Sequence, residues 1–105
     1  MGKKKYIIRR LLNFKNKASK DFPIMKMVFF GSRTTDKQHR DSDIDLIIVS
    51  QKFRGLNFFK RGARMYDYWD IGYPVDFLCY TPGEFKKLSK QITIVSQALK
   101  EGVEI

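Results

Sequence analysis

"DSDIDLIIVS", residues 41 to 50, sets two aspartates, Asp43 and Asp45, at the mouth of the apolar run Leu46-Ile47-Ile48-Val49. A run of branched aliphatics this short, bounded by polar clusters, suits an interior strand rather than a helix. Side chains alternate across a strand, so Asp43 and Asp45 share a face, roughly 6 to 7 Å apart along the backbone. Two like charges so placed repel. Either one is neutralised by a raised pKa or a cation sits between them. Magnesium, a hard ion that takes one or two carboxylates plus phosphate oxygens, matches these ligands. A solvated strand end or a capping role would account equally for either aspartate alone.

Working upstream, "KMVFFGS" reads as a shorter strand, Met27 to Phe30, ending at Gly31 and followed by a polar loop from Arg33 to Ser42. A glycine after a strand lets a phosphate approach the backbone, and the Ser32 hydroxyl and neighbouring amides can donate to it. Ser32 as a simple helix cap fits as well. Before this strand, Ile7, Leu11, Phe14 and Ala18 recur at helical spacing between about Lys5 and Ser19, with basic residues on the remaining surface.

Downstream, Leu56, Phe59, Ala63 and Tyr66 suggest a helical stripe between Gln51 and Trp69, weakened by Gly55 and Gly62. "YPVDFLCYT" is a third strand, with Val75, Phe77 and Cys79 on one face and Asp76, Leu78 and Tyr80 on the other. If it neighbours the "IDLIIV" strand, Asp76 joins Asp43 and Asp45 in the three-carboxylate cluster that two-metal phosphoryl or nucleotidyl transfer requires. Thr81-Pro82-Gly83-Glu84 combines an N-cap hydroxyl, a proline at the first helical position and a capping-box glutamate. The helix it starts continues through Phe85, Leu88, Ile92, Val95 and Leu99 to a stop at Gly102, with the β-branched cluster Ile92 to Val95 the point where it could be interrupted. The order predicts a small α/β or α+β domain, a short mixed sheet of at least three strands packed with helices.

The chain has 105 residues, 43% of them apolar and 14% aromatic, which suits one globular domain over residues 1–105. Twenty-one Lys and Arg against eleven Asp and Glu give a net charge of +10, concentrated before the Gly-Ser turn. Such a charge favours anions, and the basic N-terminal helix is a candidate nucleic-acid surface as well as an ordinary solvated face. A lone cysteine, Cys79, and a lone histidine, His39, exclude an intramolecular disulfide and a Cys/His zinc site of the usual spacing. A reducing cytoplasm is expected, with no membrane span. His39 reads as exposed and Cys79 as a small core hydrophobe. Asp67 and Asp70 rank below Asp76 as a third carboxylate, because they lie in the aromatic stretch "MYDYWDIGY" outside an apolar strand. Tyr66, Tyr68 and Trp69 could stack on a base, with packing the commoner use of such a cluster.

Gly31-Ser32, then Ser42-Asp43-Ile44-Asp45-Leu46, then Val75-Asp76-Phe77 resemble the signature of the DNA polymerase beta nucleotidyltransferase superfamily. The length is similar to that of its minimal nucleotidyltransferases, stand-alone domains often paired with a helical HEPN-type partner. The resemblance implies that Asp43, Asp45 and Asp76 bind two magnesium ions, with Asp76 helping to activate the attacking hydroxyl. It also implies that Gly31, Ser32 and Arg33 hold a nucleoside triphosphate, with ATP the expected one. The chain departs from the pattern at Thr35 and Asp36, where many members carry arginine and glycine. Arg33 or Arg40 is then the candidate to replace the missing arginine. The competing reading is an antitoxin-like interaction subunit that binds a HEPN-type partner, or a homo-oligomer, with little or no catalysis.

Overall fold

The computed structural model describes residues 2–30 and 44–105. The expectations for Gly31, Ser32, Arg33, Thr35, Asp36, His39, Arg40 and Asp43, and for the polar loop that holds them, lie outside the described residues.

Helix α1, Gly2–Ala18, forms where the periodicity places it. Its buried side chains are Ile7, Leu11, Phe14 and Ala18. Fully burying an aliphatic or aromatic side chain of this size contributes about 1.5–3 kcal/mol, so this stripe is what holds the helix on the sheet. Strand β1, Lys26–Phe30, and strand β2, Ile44–Val49, pair antiparallel, with Met27 opposite Ile48 and Phe30 opposite Asp45. Their near-continuous burial explains why the sequence shows unbroken apolar runs here rather than alternation. Strand β3, Val75–Tyr80, lies parallel to β2 on its other side. A fourth strand, β4, Val103–Glu104, pairs antiparallel with β1 and gives the sheet order β3-β2-β1-β4. Sequence periodicity does not reveal β4, because two residues carry no pattern.

The two faces of the sheet carry different cores. Met27, Phe29, Ile44, Leu46, Ile48, Val75, Phe77 and Cys79 pack with α1, Phe53 and Met65. Val28, Phe30, Ile47 and Val49 pack on the opposite side with Val95 and Ala98. The helices that cover this second face are α3, Pro82–Ser89, and α4, Ile94–Glu101. The single helix read from Thr81 to Gly102 is two, interrupted ahead of Ile94, and Ile92 is fully exposed rather than in the apolar stripe. The Thr81 capping box is formed in both directions, with the Glu84 amide donating to Thr81 Oγ1 and the Thr81 amide to Glu84 Oε1. Gly102 follows α4, where a Cβ would stand 2.6 Å from the Ala98 carbonyl oxygen and 2.7 Å from Val28 Cγ1. The glycine is required by the close approach of this turn to β1, and its backbone is extended.

Helix α2, Phe58–Tyr66, differs from the expected stripe. Its buried residues are Arg61 and Met65, whereas Leu56 precedes it and Phe59 and Tyr66 face outward. The reason is local. Gly55 adopts φ +82°, a left-handed turn that ends the 3-10 segment Gln51–Phe53, and Asn57 then caps the helix by accepting from the Lys60 amide. The helix therefore starts later than its apolar spacing suggests, and rotation about its axis is set by Arg61.

Candidate active site

Parallel pairing places Asp45 of β2 directly beside Asp76 of β3, flanked by Ile44 on Val75 and Leu46 on Phe77. Residues in direct register on neighbouring strands project to the same face, about 5 Å apart at Cβ. Asp45 is half-buried and Asp76 exposed, whereas both neighbours of Asp45 along the chain are buried. The sequence required a choice about which strands are neighbours, and this register makes it. A charge pair of one sign at such a distance is destabilising in the absence of a counter-charge.

The pair sits at one end of the sheet. Phe30 is opposite Asp45, and Phe30 and Ile44 bracket residues 31–43, so the chain enters and leaves that segment beside the carboxylates. Among the described residues no group of three His, Cys, Asp or Glu side chains converges as a metal-binding cluster. The donor chemistry of Asp45 and Asp76, two hard carboxylate ligands on one face, nevertheless fits part of a magnesium shell completed by waters or phosphate oxygens.

Neither alternative carboxylate belongs to this pair. Asp70 accepts from Lys17 Nζ at 2.9 Å and lies near Arg10, and the Lys17 hydrogen bond lowers its pKa. Asp67 follows α2 as its C-terminal cap. Trp69 packs edge-on against Phe14 and Phe77, and Tyr68 donates to Asp21, so both serve packing and surface contacts. Burial pushes the Cys79 thiol up to about 12, as suits a core residue rather than a nucleophile. Tyr66 is different. Its hydroxyl donates to the Val75 carbonyl at 2.7 Å and its ring meets Phe77 edge-on, so it touches the residues on both sides of Asp76.

The nucleotidyltransferase domain family matches residues 11–103. This chain belongs to that family. A candidate nucleotidyltransferase of known structure from Sulfolobus solfataricus is 20% identical, superposes with a TM-score of 0.66, and is matched over 96% of this chain and 80% of its own. BolA1 from Arabidopsis thaliana is 23% identical with a TM-score of 0.52, over 69% of this chain and 90% of that one. At these identities the two structures speak for the fold alone. No curated protein sequence matches the chain. The mixed α/β architecture is thus the fold of a nucleotidyltransferase domain, and generic nucleotidyl transfer is the activity that the family supports.

Sequence reading gave Phe59, Ala63 and Tyr66 a helical stripe but no place beside Asp76. Phe58, Phe59, Gly62 and Ala63 line a groove with Tyr66, Val75, Asp76 and Phe77. The signal available was Gly62 itself, a glycine inside a helix otherwise free of breakers.

Proposed function

We propose that the chain is a minimal nucleotidyltransferase domain that moves a nucleoside monophosphate from a triphosphate, ATP the first choice, to a hydroxyl acceptor. The observation that carries this reading is the direct register of Asp45 with Asp76 in a chain of this family. Asp43, Asp45 and Asp76 are the proposed ligands of magnesium, and Gly31, Ser32 and Arg33 the proposed contacts to the triphosphate. Bound magnesium would supply positive charge to the phosphate oxygens and acidify a nearby hydroxyl. Asp76, exposed at the end of β3, is placed to accept the proton of that hydroxyl as it attacks the α-phosphorus. Asp45, seated between buried neighbours, is held more firmly and orients the triphosphate.

The direct test is incubation of the purified chain with each nucleoside triphosphate and magnesium, following pyrophosphate release with candidate hydroxyl acceptors. Release that stops in Asp76→Asn supports the assignment. Release that continues unchanged in that variant contradicts it.

The second reading is an interaction subunit in the cytoplasm, bound to a HEPN-type helical partner or to another copy of the chain. What favours it is apolar surface at the α3–α4 end, where Ile92, Ile94 and Leu99 are exposed. The two readings are compatible, since a partner docked there could present the acceptor. The exposed basic residues Lys5 and Arg9 on α1 and Lys20 just after it keep a nucleic-acid contact open as a third property.

A further inference from the structure

β3 is an edge strand, with β2 on one side and no strand on the other among the described residues. Along such a strand alternate residues turn their amide and carbonyl toward the neighbour. Pro74 and Tyr80 accept from the Ile44 amide of β2 and the Ser50 amide just after it, so Asp76 and Leu78 also bond toward β2, and Val75, Phe77 and Cys79 turn outward. Outward carbonyls at an open edge are left without a strand partner. Here α2 supplies donors instead. Arg61 Nη1 donates to the Cys79 carbonyl at 3.1 Å, and Tyr66 Oη donates to the Val75 carbonyl at 2.7 Å. Helix α2 thus stands in for the missing strand at two points.

The Val75 carbonyl belongs to the peptide that leads into Asp76. The C=O and N–H of a trans peptide point in opposite directions, and the parallel register turns the Asp76 amide toward β2. This peptide is therefore gripped from both sides, by β2 at its N–H and by Tyr66 at its C=O. Its plane sets the direction in which the Asp76 side chain leaves the strand. The grip is itself anchored. The Tyr66 ring meets Phe77 edge-on with centroids 4.9 Å apart, and Phe77 stacks on Phe14 and meets Trp69 edge-on. A line of packed rings runs from α1 to the phenol hydroxyl, while Arg61 fixes the rotation of α2, of which Tyr66 is the last residue. Tyr66 is 54% exposed, so its hydroxyl is not needed to fill the core, yet the bond it makes is to the peptide before Asp76.

We propose that Tyr66 is a positioning residue for Asp76: its hydroxyl holds the Val75–Asp76 peptide and thereby sets where the Asp76 carboxylate stands beside Asp45. The inference rests on the transfer reading above and adds to it a residue that touches neither metal nor nucleotide. The two carboxylates differ in their need for such support. Asp45 lies on an interior strand, paired with β1 on one side and β3 on the other, whereas Asp76 has a strand on one side alone. Site carboxylates have to be held to within about 0.5 Å of the productive arrangement by the groups behind them. On the open side of Asp76 that group is Tyr66.

The test has two parts, each on the full chain as wild type, Tyr66→Phe, Asp76→Asn and the double variant. Tyr66→Phe keeps the ring on Phe77 and removes the hydroxyl alone. The first part is amide hydrogen exchange of the metal-free protein, followed residue by residue by NMR. Tyr66→Phe is expected to speed exchange at the Asp76 amide by roughly two- to tenfold, the worth of one intramolecular hydrogen bond, with the amides of α1 and β1 at wild-type rates. The second part is titration with Mn²⁺ and ATP, protein-bound Mn²⁺ being read from enhanced water-proton relaxation. Removing a group behind a metal ligand costs about ten- to a hundredfold in metal affinity. A loss at the low end is expected in Tyr66→Phe, with no further loss when that change is added to Asp76→Asn. Unchanged exchange at Asp76 overturns the proposal, and so does a rise spread evenly over the sheet, which is lost stability rather than lost aim. Wild-type manganese affinity in Tyr66→Phe overturns it too, as do losses that add in the double variant, since Tyr66 would then act through another group. If wild type holds no manganese while exchange at Asp76 responds as expected, the transfer reading fails and the hold of Tyr66 on Asp76 stands.

Discussion

The Arg61 guanidinium donates to the Glu84 carboxylate at 2.7 Å, and the same carboxylate oxygen accepts from the Thr81 amide at 2.9 Å. One glutamate thus completes the capping box of α3 and pairs with a cation buried under α2. Arg61 also donates to the Leu56 and Cys79 carbonyls and lies over the Phe53 ring, so its guanidinium ties helix, sheet edge and turn together. Arg61→Ala removes the side-chain donor to the Leu56 and Cys79 carbonyls and the partner of Glu84, and is expected to cost about 2–4 kcal/mol, less than for a fully buried pair because Glu84 is half exposed. Urea denaturation followed by circular dichroism measures this, and a loss below about 1 kcal/mol would mean that Arg61 is not the pin of α2.

The same contact predicts a pH dependence. The Arg61 hydrogen bond is the largest of the influences that hold the Glu84 carboxyl below its ordinary value of 4.5. A folded value below the unfolded one stabilises the fold fully above 4.5 and ceases to do so as pH falls through the folded value. Wild type should therefore lose stability faster than Glu84→Gln on acidification below about pH 4.5, with the curves parallel above it. Parallel curves across the whole acid range would remove Glu84 from the ledger.

How much of this was legible beforehand depends on how local the signal is. The α1 stripe, the apolar runs of β1 and β2, the alternation of β3 and the Thr81 capping box each sit within a few residues of sequence, and each forms as read. The orientation of α2 does not, because the partners that bury Arg61 come from Cys79 and Glu84 across the fold. A buried arginine looks like a surface residue until its acceptors are known. Strand β4 is set by pairing with Val28 and Phe29 rather than by its own two residues. For the site, Asp45 and Asp76 were visible as candidates, but their adjacency is a property of the β2–β3 register and no spacing along the chain encodes it.

Gly102 provides a steric prediction. A Cβ there would press on the Ala98 carbonyl of α4 and the Val28 side chain of β1. Gly102→Ala should destabilise by about 1–3 kcal/mol, the usual range for overpacking, even though alanine suits extended backbone. Thermal unfolding checks it. An unchanged midpoint would show that the α4–β4 turn yields without cost.

Cys79 should behave as a closed core thiol. It is fully buried, and burial raises its pKa from 9.0 to about 12, so at pH 8 the folded protein holds almost no thiolate. Reaction with an aromatic disulfide reagent is expected only as fast as the protein opens, and at once in denaturant. Because the folded value lies above the unfolded one, this residue also lowers stability as pH rises from about 9 toward 12. Rapid labelling of the native protein at pH 8 would contradict both statements.

The central claim is that Asp45 and Asp76, side by side at the end of the sheet, form part of a magnesium–triphosphate site. Calorimetric titration of ATP with magnesium into wild type, Asp45→Asn and Asp76→Asn addresses it most directly. The account predicts binding by wild type that disappears when magnesium is withheld, falls at least tenfold in Asp45→Asn, and falls less in Asp76→Asn, whose larger defect should be in transfer. Binding of equal strength by wild type and Asp45→Asn, or binding indifferent to magnesium, would contradict it.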